Sequence, residues 1–224
     1  MSVQNFICEL QSFTSDRVFN PYRDICAEYD RHDAAGTRST NLQHLMEAVH
    51  ASGVDTIWVA RDLGYRGGRR TGIPLTDEVH LTSVESLYGT SALERATHGE
   101  IVAERTAAVI WKLLGTIPSP VMLWNVFPFH PHEEANPMTN RCHTAKEREL
   151  TLPFLWYLIE FLKPKQLVAI GRDAQAALED APIPVFKVRH PSYGGQREFN
   201  ETLAKFYNVE VPFAAKQETM RFFA

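Results

Sequence analysis

Polar side chains stand at the ends of four apolar segments. Asp62 follows the run Asp55-Thr-Ile-Trp-Val-Ala60, and Asn125 sits near the end of Val121-Met-Leu-Trp-Asn-Val126. Asp173 follows Leu167-Val-Ala-Ile-Gly171, and His190 follows Val185-Phe-Lys-Val-Arg189 and precedes Pro191. A carboxylate such as Asp62 can activate water or stabilise a developing cation, and it can equally pair with a neighbouring arginine or cap a turn. The Asn125 amide has one acceptor and two donors, a set suited to the polar edge of a heterocycle or to satisfying backbone groups. Pro191 holds His190 in an extended conformation and limits the wandering of its ring. Arg61, Arg66, Arg69 and Arg70 fall within ten residues, threaded through the run Gly64-Tyr65-Arg66-Gly67-Gly68, and form a patch able to hold phosphates. Phe127 and Phe129 share the rim with Asn125 and could line a pocket.

Those groups need elements that bring them to one place. The four apolar runs are short, continuous and bounded by Gly, Pro or charged residues, as strands buried on both faces of a parallel sheet are. Between them lie helical patterns at 41–51, 100–114, 145–162, 174–178 and 199–206. The alternation predicts an α/β fold, a three-layer α/β/α domain around a central, mostly parallel four-stranded sheet. In such a sheet, ligands bind beyond the carboxyl ends of the strands, where Asp62, Asn125 and His190 would converge. One domain over 1–224 is expected, with residues 1–40 as an N-terminal extension packed on it. The tryptophans Trp58, Trp111, Trp124 and Trp156 lie in apolar runs and read as core.

Composition narrows the function classes. In 224 residues, 44% are hydrophobic and 22% charged, which fits one ordinary soluble domain. No apolar stretch approaches a membrane span and the N-terminus lacks the order of a signal peptide, so the expected compartment is cytoplasmic, the bacterial cytosol or nucleoid, with no membrane partner. The net charge of -4 does not advertise a nucleic-acid binder, which leaves that role to a local patch. Three scattered cysteines, Cys8, Cys26 and Cys142, cannot build a disulfide framework, a four-thiolate zinc site or an iron-sulfur site. His130, His132, Glu133, Glu134, Cys142 and His143 cluster in sequence, but Pro131 separates the first pair and no helical His-x-x-x-His supports a metal site, so the segment reads as a solvated loop.

Three strand-end motifs in this order resemble the uracil-DNA glycosylase superfamily. Ala60-Arg61-Asp62-Leu63-Gly64 looks like its first motif, with Asp62 in the hydrolytic slot, and Arg70-Thr71-Gly72-Ile73-Pro74-Leu75 is similar to its Gly-x-Pro-Phe element. Asn125 matches the strand-borne Asn of some branches. His190-Pro191-Ser192 resembles the late His-Pro-Ser motif, and Gly171-Arg172-Asp173-Ala174-Gln175 the Gly-x-x-Ala-Gln segment before it. Arg61, Leu63 and Leu75 depart from the usual residues, which marks a divergent branch without an iron-sulfur cluster.

The resemblance implies hydrolysis of the N-glycosidic bond of uracil or another deaminated base in DNA, leaving an abasic site for base excision repair, with no cofactor. Asp62 and His190 would be catalytic. Asn125, Phe127, Phe129 and Tyr65 would bind the base, the stacking residue being open among the last three. Arg61, Arg66, Arg69, Arg70, Ser192, Tyr193, Gly194 and Arg197 would meet DNA, single- or double-stranded, and the protein would act as a monomer. Gly194 occupies the usual place of the wedge that fills the hole left by a flipped nucleotide, with Tyr193, Gln196 or Arg197 as substitutes. A non-catalytic nucleotide- or nucleic-acid-binding module of the same fold is the alternative, and a phosphoesterase using the arginine loop is a third.

Overall fold

The computed structural model describes residues 2–90 and 92–211. In chain order the elements are α1 (Val3–Ser12), β1 (Val18–Phe19), α2 (Ala34–Ser52), β2 (Thr56–Asp62), α3 (Gly68–Thr71), a 3-10 turn (Glu78–His80) and α4 (Leu81–Tyr88). Then come α5 (Arg105–Leu114), β3 (Val121–Phe127), β4 (His130–Pro131), α6 (Ala145–Leu162), β5 (Gln166–Ile170), α7 (Arg172–Ala177), β6 (Val185–Val188) and α8 (Gln196–Tyr207). The four expected strands pair in the order β3-β2-β5-β6, every pair parallel, and helices flank the sheet in a three-layer α/β/α arrangement. Because all four run the same way, their carboxyl ends form one rim.

Side-chain alternation on β2 shows how the layers are held. Thr56 and Trp58 point to the same face, where the Tyr207 hydroxyl from α8 meets both, at 2.6 and 2.7 Å, with the Trp58 indole N–H donating. Phe199 of α8 meets the Trp58 ring edge-on, with centroids 6.1 Å apart. Trp124 of β3 packs instead against Phe6 of α1, which stacks on Tyr157 of α6. Trp58 and Trp124 are fully buried, and Trp111 nearly so.

The helices run somewhat differently from the sequence patterns. α2 starts seven residues early, and α6 runs its whole expected length straight through Pro153, which lies on the exposed side. α5 begins only at Arg105, because the Glu104 N–H leaves the helical pattern and is taken by the Asp77 carboxylate at 2.6 Å. Within 1–40, the Asn20 side chain holds the Leu10 and Phe13 carbonyls at the end of α1. Arg38 of α2, fully buried, pairs with Asp30 and also donates to the Arg70 carbonyl at 3.1 Å. A buried charge is tolerated only when paired and hydrogen-bonded in this way. That network ties the first forty residues to the arginine loop.

Candidate active site

β2 ends in Asp62, and both oxygens of that carboxylate are occupied. Arg61 Nε donates to Oδ2 at 2.5 Å, and His143 Nδ1 bonds to Oδ1. Arg61 also reaches Asp173, at 3.4 Å. The Asp62 side chain is 5% exposed and that of His143 4%. His143 is placed by the start of α6: Thr144 Oγ1 accepts the Glu147 N–H while Glu147 accepts the Thr144 N–H, a reciprocal cap. Arg141 clamps the same Glu147 carboxylate at 2.7 and 2.9 Å.

His190 sits at the carboxyl side of β6. Its Nδ1 accepts the Ser192 backbone N–H at 3.1 Å and lies 2.7 Å from the Ser192 hydroxyl. An accepting Nδ1 leaves the proton of the neutral ring on Nε2. Burial lowers the His190 pKa, Arg61 lowers it further, and Asp173 opposes them, so the neutral, Nε2-donating ring is the favoured form.

A cavity of about 490 Å³ opens at this rim, lined by Asp62, Leu75, Glu104, Arg172 and His190 among others. Its size lies in the range of small-molecule sites, roughly 300–1,000 Å³. Beside it runs a groove of about 960 Å³ bordered by Arg66, Glu104, Arg105, Ser192 and Tyr193. Tyr193 is 98% exposed and adopts a φ of 51°, while Gly194 has a φ of 76°. A non-glycine residue in that left-handed region is uncommon and strained, and here the strain lifts an aromatic ring into solvent at the mouth of the cavity.

Asp62, His190, Ser192, Tyr193 and Arg61 thus share one cavity, and Arg66, Tyr193 and Gly194 border the groove beside it. Arg197 is exposed on α8, paired with Glu201 at 2.6 Å. Tyr65 is half-buried outside the cavity lining, its N–H held by Asn140.

Four expected roles need correction. Phe127 and Phe129 are fully buried and pack edge-to-face, Phe129 also stacking on Phe13 at 4.4 Å, so they are core rings with no free face for a base. Arg69 and Arg70 are buried as well. Arg69 lies 4.0 Å over the Phe19 ring and bonds His130 and the Pro137 carbonyl, whereas Arg70 lies 4.0 Å over Tyr29 and pairs with Glu78. Their charges are spent on holding loops and cannot reach phosphates. Asn125 is buried at the end of β3 and does not line the cavity; its Nδ2 donates to the Asp62 carbonyl at 3.1 Å, while its Oδ1 has no hydrogen-bond partner among the described residues.

The loop expected to be solvated is partly interior. His130 is buried between Arg69 and the Thr139 carbonyl, and burial with the Arg69 charge pushes its pKa down to about 3. Two residues at the candidate site were not expected there. His143, read with the segment around it as a solvated loop, meets Asp62, 81 positions away, and no local signal gives that partner. Glu104 carried no motif at all.

A family model described as "Uracil DNA glycosylase superfamily" matches residues 65–210, most of the chain, including Glu104, His143 and His190. The chain belongs to the uracil DNA glycosylase superfamily. Membership makes it a DNA glycosylase-family protein with a fold suited to DNA, and the matched segment begins three residues past Asp62. Among solved structures it is similar to wild-type Pedobacter heparinus SMUG2, with a TM-score of 0.56 and 13% identity over 92% of this chain and 95% of that one. That likeness shows the shared fold. No curated protein matches in sequence. Among the described residues, no helix is long and apolar enough to cross a membrane.

Proposed function

We propose that the protein hydrolyses the N-glycosidic bond of uracil in DNA and leaves an abasic site. The observation that carries this reading is one cavity lined by a carboxylate at the end of β2 and a neutral imidazole after β6. Bond cleavage builds positive charge on the sugar and negative charge on the departing base. Asp62 opposes the first, and the His190 Nε2–H donates to the base oxygen that gathers the second, so both interactions strengthen toward the transition state. The C1′–N1 bond breaks with its electron pair going to the uracil, water bonds through oxygen at C1′ and releases one proton to solvent, and uracil departs as the anion that His190 stabilises. The nucleotide must first be flipped out of any duplex, which costs a few kcal/mol and costs least in single strands. Tyr193, exposed beside the cavity, is placed to fill the gap, a role its ring can play where Gly194 cannot.

The test is incubation with a uracil-containing oligonucleotide in the presence of chelator, followed by alkali. Alkali-labile sites and free uracil are the expected result, and release that depends on added divalent metal would overturn it. One observation favours a second reading, a non-catalytic nucleic-acid-binding module: both Asp62 oxygens are already engaged, by Arg61 and His143. Such a module binds the same oligonucleotide and releases no base.

A further inference from the structure

The loop between β2 and α3 is glycine at the two places where the Glu104 carboxyl rests on it. A Cβ added at Gly64 would lie 2.6 Å from Glu104 Oε1, and one at Gly67 would lie 2.1 Å from Oε2. With glycine at both positions the carboxyl can rest directly on the loop backbone, and a larger residue at either would push it away. Glu104 borders both the cavity and the groove beside it, and Asp62 and His190 line the same cavity. Its backbone N–H is taken by Asp77, yet among the described residues no protein group is hydrogen-bonded to its carboxyl oxygens. A half-buried carboxyl on a cavity wall with no protein partner is free to hydrogen-bond a molecule that enters the cavity.

We propose that Glu104, acting as a carboxylic acid, donates a hydrogen bond to the departing base and so assists His190 in carrying the negative charge that base acquires. This rests on the glycosylase reading and adds a second catalytic donor to it. In its ionised form the same group would repel the departing base, so the proposal requires the acid form to persist in the working range. Burial first, and the Asp77 charge after it, raise the Glu104 pKa to about 7 against the opposing charge of Arg66. Asp77 itself stays ionised, held by His80 at 2.6 Å and by the Glu104 N–H. The same cavity is lined by Arg61 and Asp62, already paired, together with Arg172, Asp173 and His190. Two carboxyls facing each other do not readily ionise together, and the structure gives the hydrogen bonds to Asp77.

The experiment measures single-turnover uracil release from single-stranded oligonucleotide between pH 5.5 and 9 for the wild type, Glu104→Gln and Glu104→Ala. Wild-type release should fall about tenfold per pH unit above the Glu104 ionisation. Glu104→Gln keeps a donor that cannot ionise, so its rate should stay level across the alkaline range. Glu104→Ala should lose roughly 10²–10³ in rate, the usual cost of one such donor. A carboxylic-acid infrared band present at pH 6 and missing from Glu104→Gln would report the protonated group independently of activity. An unchanged alkaline limb in Glu104→Gln, or wild-type rates in Glu104→Ala, would overturn this role while leaving the glycosylase reading intact. Absence of base release by the wild type at every pH would overturn both.

Discussion

Asp62 is a carboxylate whose two oxygens are spoken for, and that decides how it can act. Held by Arg61 and His143, it is fixed as an oriented anion, and in the proposed reaction its contribution would lie in the field it exerts on the sugar. Asp62→Asn should therefore lower the rate of base release by about tenfold or more while leaving oligonucleotide affinity within about twofold, as rapid-quench kinetics set beside equilibrium binding would show. His143→Ala frees one oxygen without removing the charge, so the same measurements should give a smaller loss. A loss equal to that of Asp62→Asn would make the pair the acting unit. Tyr193 belongs to the same scale. Tyr193→Ala should slow release from duplex DNA several-fold and leave single-stranded release unchanged, and it should weaken inhibition by abasic duplex. Inhibition constants equal to the wild-type value would remove Tyr193 from the DNA path.

The start of α6 links the site to stability. Burial raises the Glu147 pKa, but hydrogen bonds from Arg141, the Thr144 N–H and Ser15, with the Arg141 charge, outweigh it and hold the carboxyl down to about 2. A depressed pKa stabilises the fold above the unfolded carboxyl value near 4.3 and loses that stabilisation as pH falls toward 2. Glu147→Gln should be less stable at pH 7 by about 1–3 kcal/mol, and its stability should change less between pH 4.5 and 2, which thermal melts across that range would reveal. A parallel pH dependence in both proteins would assign the acid sensitivity elsewhere. The elements also show what a sequence can disclose. β2, β3, β5 and β6 were legible because continuous apolar runs report burial on two faces, a property of the segment itself. Short pieces such as β1, β4 and α3 were not, since two to four residues carry no period. Arg69 and Arg70 failed as phosphate ligands for a related reason: nothing local to a run of arginines tells whether Phe19 and Tyr29 will lie beneath them. Asp62 and His190 were legible through strand-end position, whereas Glu104 and His143 reach the site from segments whose placement only the tertiary fold supplies.

Over the whole molecule the charge is -4, so attraction to DNA must come from the rim alone. With Arg69 and Arg70 buried, the cations bordering the groove are Arg66 and Arg105. Replacing both with alanine should weaken binding and make the salt dependence shallower, by about 0.7 in slope per lost contact on single strands and about 0.9 on duplex. Titrations at several salt concentrations that give equal slopes for variant and parent would place the backbone elsewhere. The strand order has a consequence for how the protein is made. β2 lies in the middle of the sheet yet is the first of its strands to leave the ribosome; β3 follows about sixty residues later and β5 about a hundred. At roughly 5–20 residues per second, one edge of β2 stays open for about 5–20 s of translation. An apolar strand with an open edge is a template for its counterpart on the next ribosome along the same message. Dense polysomes should therefore yield more aggregated product than sparse ones, and a chaperone that holds nascent chains should matter more to this protein's yield than one that acts on the finished chain.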